Sequence, residues 1–283
     1  MRSAESSPES IVTSHEEMGR NAMGGNMRKW DADVYLRFSA ERTQPARDLA
    51  ARIKVSDPKR IMDLGCGPGN STAILRLRWP EADIIGLDNS REMIVAASTS
   101  YPDEKWTLAD ASTWTAQSPY DIVFSNAALQ WLPDHARLFP HLFGQVASGG
   151  ALAVQMPAHH SSPMHGAILE AADDPEWRNL MDGARNAMVK ESAGFYYEVL
   201  QPVASHLEIW ETEYYHIMDG PEVILEWFRG TGLRPFLSPL ESEEKRKAFE
   251  ERVLQGYTRR YQRQSDGRIL FPFRRLFIIA YHD

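Results

Sequence analysis

Residues 60–70, RIMDLGCGPGN, join an apolar run of strand length to three glycines at alternate positions, Gly65, Gly67 and Gly69. Asn70 then opens a helical stretch that Pro80 ends. A glycine turn between strand and helix lets a ligand come close to the backbone, beside the helix N-terminal amides. Outward from this unit the same rhythm repeats. DIIGL (83–87) is a second strand, and in SREMIVAASTS (90–100) Ser90 followed by Glu92 marks a helix start. KWTL (105–108), DIVFS (121–125) and ALAVQ (151–155) continue the series. This alternation predicts an α/β fold, a doubly wound and mostly parallel sheet with right-handed crossovers and helices on both faces.

After Pro157 the rhythm breaks. About fifty residues that read as helices, including PEWRNLMDGARNAMVKE, precede the strand-like LEIWETEYYHI (207–217). A second non-strand stretch precedes the last apolar run, LFIIAY (276–281), which brings the expected strands to seven. The two stretches are expected as helical lid insertions, at about 157–191 and 219–270, packing together over the strand ends where open α/β sheets bind ligands. In the other direction, Trp30, Val34, Tyr35 and Phe38, then Ala46, Leu49, Ala50 and Ile53, anchor an N-terminal helical segment that starts near Met27. Residues 1–26 are rich in Ser, Glu and Gly and are expected to be a flexible extension, leaving 27–283 as a single domain.

With 31 Lys+Arg against 39 Asp+Glu the net charge is −8, which opposes coating of nucleic acid. Cys66 is the only cysteine, so an internal disulfide framework and a multi-cysteine zinc site are excluded; a reducing, cytoplasmic location is expected. No run reaches the roughly 18 to 20 apolar residues of a membrane helix, so no membrane partner is expected. The chain is expected to act as a monomer.

The glycine loop alone fits dinucleotide binding as well as other nucleosides. Two details separate them. The spacing is G-x-G-x-G, with Asn70 where the dinucleotide fingerprint wants its third small residue. Asp63, two residues before the first glycine, would oppose a pyrophosphate but favour an amino group, which suits S-adenosylmethionine better than NAD. Asp88, 25 residues further on at a strand end, can accept from both ribose hydroxyls, and Asp110 after the third strand can accept from an adenine amine. Each aspartate alone reads as a cap or loop residue. In order, at successive strand ends, they read as a nucleoside site, and Asn89 and Ala111 are placed with them.

These residues resemble the class I S-adenosylmethionine-dependent methyltransferases over residues 63–155, with Asp63, Gly65, Gly67 and Gly69 on the acidic-glycine motif, Asp88 on the ribose carboxylate and Asp110 on the adenine contact. The segments YLRFSAERTQPARDL (35–49), SNAALQWLPDH (125–135), AVQMP (153–157), YYHIM (214–218), TGLRPFL (231–237) and PFRRLFI (272–278) are similar, within that class, to the trans-aconitate 2-methyltransferase family. The resemblance implies S-adenosylmethionine as methyl donor, no metal, and a monomethyl ester formed on a carboxylate of trans-aconitate, a small tricarboxylate, with S-adenosylhomocysteine as coproduct.

Methyl transfer is an in-line displacement that rests on proximity and exclusion of water. A carboxylate with a pKa of roughly 4 is already ionised at pH 7 and needs no general base, so no catalytic base is assigned. A tricarboxylate does need cationic and hydroxyl donors. The candidates are Arg234, Arg275, Tyr214, Tyr215 and, from the N-terminal segment, Tyr35 and Arg42, of which Arg42 is assigned to the cofactor side; the competing reading for each arginine is a surface ion pair. Asn126 and Gln130, after the fourth strand, are expected at the cofactor. Trp131 is expected over the sulfonium or the acceptor, against core packing of the run Leu129 to Leu132. Ser125-Asn126-Ala127-Ala128 lacks the Asn/Asp-Pro-Pro-aromatic sequence of adenine-modifying enzymes, so a nucleic-acid substrate is not expected. His159, His160 and His165 lack an accompanying carboxylate cluster for a metal, and the run from Arg259 to Arg263 reads as a solvated helix face. Three alternatives stay open: methylation of another small anionic or phenolic acceptor, an NAD-dependent oxidoreductase, and a non-catalytic nucleoside-binding protein.

Overall fold

Strands buried on both faces of a parallel sheet read as unbroken apolar runs, whereas edge strands do not. In the computed structural model, which describes residues 39–158, 160–189 and 191–283, β1 (Arg60–Leu64), β2 (Asp83–Asp88), β4 (Tyr120–Asn126) and β5 (Val146–Pro157) follow the first pattern. β3 (Lys105–Leu108) lies at the edge and is largely exposed. The anticipated extension over 1–26, the anchors Trp30, Val34, Tyr35 and Phe38, and His159 lie outside the described residues.

The seven strands take the order β3-β2-β1-β4-β5-β7-β6. β1 to β5 are parallel, while β7 (Ile269–Tyr281) runs antiparallel between β5 and β6 (His206–Met218). The strand order reverses between β1 and β4, the switch point beyond whose carboxyl ends such sheets bind ligands. β7 begins at Ile269, before the apolar run at 276, because Phe271, Phe273 and Arg275 alternate with outward residues at strand period. Pro272 is tolerated there: it lies beyond the Pro157–Arg275 pair and short of the Arg263–Ile269 bridge, at a position where β7 pairs only with β6.

Alternation divides the sheet's side chains between two cores. On one face Ile61, Ile84, Ile122, Phe124, Ala153 and Phe277 meet Leu49 of α1 (Ser39–Arg52) and Leu75 of α2 (Asn70–Arg78). On the other, Met62, Val123, Val154 and Ile278 meet Phe139 of α4 (His135–Phe143) and Tyr196 of α7 (Ala193–Leu200). Between β2 and β3 runs α3 (Arg91–Ser100), started by the Ser90 hydroxyl, which accepts from the Met93 amide at 3.3 Å.

A third core joins the segments that follow β5 and β6. α5 (Pro163–Ala172), the short α6 (Asp182–Arg185), α8 (Pro221–Arg229), α9 (Arg234–Leu237) and the long α10 (Glu243–Arg260) bury Ile168, Trp177, Phe228, Phe236, Phe249 and Tyr257 against one another. This core closes onto Met218 of β6 and Phe271 and Phe273 of β7. α5 and α10 touch through small residues: a Cβ on Gly256 would stand 2.7 Å from that of Ala167.

Candidate active site

The β1–α2 loop takes its shape from left-handed backbone at Gly65, Gly67 and Gly69, with φ of 68°, 55° and 95°. The Leu87 carbonyl of β2 accepts from the amides of Gly65 (2.7 Å) and Cys66 (3.0 Å), tying the loop across the sheet. A side chain at Gly65 would strike Ala128 Cβ, whereas one at Gly67 would find no heavy atom within 4 Å. The first glycine therefore serves packing, and the second leaves open backbone for a ligand.

Asp63 is fully buried. Its Oδ2 accepts from Ser71 Oγ and Thr72 Oγ1, both at 2.7 Å, and so fastens the first turn of α2 to β1. Burial pushes its carboxyl up to about 6 against the pull of the two hydroxyls. Its Oδ1 has no partner among the described residues and could accept from a cationic N–H donor. Asp88, at the end of β2, accepts from the Gly67 amide through Oδ2 and the Ser90 amide through Oδ1, each at 2.9 Å. These bonds use one lone pair per oxygen, which leaves acceptor capacity for a pair of ribose hydroxyls. Asn89 beside it is exposed. Asp110 is exposed and caps its own turn, Oδ1 accepting from the amide (2.8 Å) and hydroxyl (2.7 Å) of Ser112, next to buried Ala111. Asn70 opens α2 at the glycine loop. The donors, acceptors and open backbone of Asp63, Gly67, Asp88, Asp110 and Ala111 are ones that could hold S-adenosylmethionine.

Asn126 ends β4 on the same sheet face as Asp63. Its Oδ1 is buried with no partner among the described residues. Ala127 follows with φ 55°, left-handed backbone that an alanine adopts only at a cost. The turn is held from both sides: the Ala127 amide donates to the Gln155 carbonyl (2.9 Å), and its carbonyl accepts from Gln130 Nε2 (2.7 Å). Gln130 is 4% exposed, and its carbonyl accepts from the Val189 amide at 2.9 Å, linking the segment after β5 to this turn. Trp131 is 39% exposed, so it is not a core residue, while Leu129 beside it is fully buried.

The acceptor candidates separate. Arg275 is 5% exposed, on β7, with its guanidinium carbon 4.5 Å from the centre of the Phe273 ring. Burial and the Arg275 charge hold His216 down to about 4, so this buried imidazole is neutral at pH 7; its Nε2 has no partner among the described residues. Tyr214 shares that face, and its hydroxyl donates to Asp48 Oδ2 of α1 at 2.6 Å. Burial and Asp48 raise its pKa, so the proton stays on the phenol and is committed to Asp48. Tyr215 does not join them. It is 57% exposed, and its hydroxyl donates to Glu213 at 2.5 Å, because successive strand residues point to opposite faces. Arg234 is exposed at the start of α9, and its charge, after the Glu92 amide, the Ser90 hydroxyl and Arg91, helps hold the Glu92 carboxyl below its usual range. It therefore stands toward the N-terminus of α3, not in the buried group around Arg275. Arg42 lies on α1, but its side chain is not among those described, and Tyr35 lies outside the described residues.

Arg259 and Arg260 pair with Glu170, each at 2.6 Å, on the surface where α10 meets α5. His160 and His165 lie with ring centres 6.0 Å apart. Among the described residues no group of three or more His, Cys, Asp or Glu is placed to hold a metal. Gln155, His216 and the Ser71–Thr72 pair were not among the residues picked from the sequence. A signal was present for Gln155, a polar residue following the apolar run Ala151–Val154; His216 sits in an alternating, mostly exposed strand that carries no such mark.

A methyltransferase-domain family model matches residues 33–198. The trans-aconitate 2-methyltransferase of Azoarcus sp. (strain BH72) is 44% identical over 254 residues, covering 90% of this chain and 99% of that protein. That of Yersinia pestis (strain Pestoides F) is 44% identical over 257 residues, with the same coverage. Among solved structures, YcgJ of Bacillus subtilis shares the fold at 12% identity with a TM-score of 0.54, covering 84% of this chain and 99% of its own. The plantazolicin methyltransferase BpumL, solved with a desmethyl analogue of plantazolicin and S-adenosylhomocysteine, does so at 16% and 0.50, covering 89% and 90%. Sequence over nearly the full length, together with a seven-stranded sheet of this order, shows that the chain belongs to the trans-aconitate 2-methyltransferase family of methyltransferase-domain proteins.

Proposed function

We propose that the protein transfers the methyl group of S-adenosylmethionine to a carboxylate of trans-aconitate, giving the monomethyl ester and S-adenosylhomocysteine. The observation that carries the acceptor reading is Arg275: a cation buried at the sheet end that also holds the glycine loop, in a chain of net charge −8. When bound, S-adenosylmethionine supplies a sulfonium-activated methyl carbon to the nucleophile. Asp63, Gly67, Asp88 and Asp110 orient it through its polar groups. Arg275 neutralises and orients the acceptor, and Asn126, Gln130 and Trp131 border the junction between the two. Proximity carries the barrier, and no side chain needs to remove a proton because the attacking carboxylate is already ionised. The kcat/KM profile is therefore expected to be nearly flat from about pH 6.5 to 8; a steep rise governed by one essential base counts against carboxyl chemistry.

The segments 157–191 and 219–270 act, in this reading, as a lid that excludes water, with 27–283 as one catalytic domain. The single buried Cys66 supports a reducing compartment, and we place the enzyme in the cytoplasm as a monomer, without nucleic-acid or membrane partners. Among the described residues no helix is long and apolar enough to cross a membrane. Incubation with methyl-labelled S-adenosylmethionine and trans-aconitate tests the reading by mass spectrometry and release of labelled methanol in mild base. A singly methylated, base-labile product supports it. Absence of product despite S-adenosylmethionine binding removes the acceptor and directs the search to other small anionic or phenolic acceptors.

A further inference from the structure

Gln155 lies within the buried run of β5 with no exposed surface, and neither its Nε2 nor its Oε1 has a hydrogen-bond partner among the described residues. A buried polar group left unpaired costs stability, and an amide carries two such groups. A methionine of similar length would fill the same space with no such cost, so the amide makes sense when a polar ligand meets it.

Its position states which kind. Gln155 lies opposite Asn126 in the β4–β5 register and opposite Phe277 in the β5–β7 register. Arg275, two residues before Phe277, is therefore its diagonal neighbour on the same face, at a separation of roughly 7–8 Å that two long side chains can span together. Asp63 and the glycine loop lie two strands away, on β1. A guanidinium and an amide N–H brought together from adjacent strands form a donor pair suited to a carboxylate.

We infer that Gln155 is a substrate-contact residue whose side-chain amide and the Arg275 guanidinium together grip one carboxylate of the acceptor. The assignment rests on the carboxylate-methylation reading above and adds a specificity determinant to it. Because the amide is neutral, it adds a directed donor without a second buried cation. Its Oε1 repels a further carboxylate, which limits how a tricarboxylate can turn in the site.

The test is steady-state kinetics of Gln155→Met, Arg275→Gln and the double variant with trans-aconitate, alongside calorimetric binding of S-adenosylmethionine and thermal melting. A hydrogen bond to a charged group predicts a KM for trans-aconitate raised about tenfold or more in Gln155→Met. Cofactor affinity should be unchanged and the melting temperature equal or higher, an outcome that a structural amide would not produce. Two groups on one carboxylate also predict that the double variant loses less than the product of the single losses. Should Gln155→Met fail to fold, Gln155→Asn, with the same amide one methylene short, must show the raised KM instead. A KM within twofold of the parent, a loss confined to cofactor affinity, or strictly multiplicative effects overturn the assignment while leaving the acceptor reading in place. No turnover of trans-aconitate by the parent enzyme overturns both.

Discussion

Arg275 is a nearly buried cation whose guanidinium lies over the Phe273 ring, a contact worth roughly 0.5–2 kcal/mol. In our reading an acceptor carboxylate adds a charge-assisted contact to that guanidinium. Arg275→Ala is accordingly expected to raise the trans-aconitate KM at least tenfold with S-adenosylmethionine affinity unchanged, whereas Arg234→Ala, at an exposed site, should have the smaller effect; equal kinetics in parent and both variants would remove them from the pocket. His216 offers a pH readout. A folded value of about 4 against 6.5 means that the unfolded chain binds more protons in that window, so His216 costs stability as pH falls from 6.5 toward 4. Asp63, raised from 3.8 to about 6, has the opposite sign: the folded state binds more protons there, and stability is lost as pH rises through that window. His216→Phe removes only the first effect, so its melting temperature should fall less between pH 7 and pH 5 than that of the parent.

At the scale of elements, the β1–α2 loop separates two glycines that look alike in the sequence. Gly65 has positive φ and a neighbour that a Cβ would strike, while Gly67 has positive φ and open space. Gly65→Ala should therefore cost more than about 3 kcal/mol of stability, combining backbone strain and overpacking. Gly67→Ala should cost only about 1–2 kcal/mol in thermal melting, yet weaken S-adenosylmethionine binding at least tenfold by calorimetry. Equal stability losses with cofactor affinity intact in Gly67→Ala would sink this division. Asp63, which the sequence suggests for the cofactor, also has one oxygen accepting from the Ser71 and Thr72 hydroxyls and thus fastens the first turn of α2.

Across the whole molecule, the helical core of α5, α8 and α10 is separate from the two cores on the sheet faces and meets the sheet through Met218, Phe271 and Phe273. Those residues neighbour Arg275 and His216, so ordering of the acceptor site should be felt in the helical core. With S-adenosylhomocysteine and trans-aconitate both bound, amide hydrogen exchange is expected to slow in residues 163–185 and 221–237 while β1 and β4 stay unchanged. Uniform protection throughout the chain would instead indicate simple global stabilisation. The overall charge of −8 does nothing to attract a trianion, which is why the local cation matters.

The sequence by itself determined the strand runs, the glycine loop and the order of acidic residues at strand ends, because strand and helix periods and positive-φ glycines are local properties. Its segments also carried the family. Tertiary structure decided which polar residues meet. Tyr214 and Tyr215 are adjacent in the chain but lie on opposite faces, and Arg275 belongs to a strand that begins earlier than its apolar run suggests. Gln155 and Arg275 are 120 positions apart and become neighbours only through the antiparallel pairing of β5 with β7. Register is a long-range property set by the packing of whole faces, and burial of a charge or an amide exists only once those faces have closed.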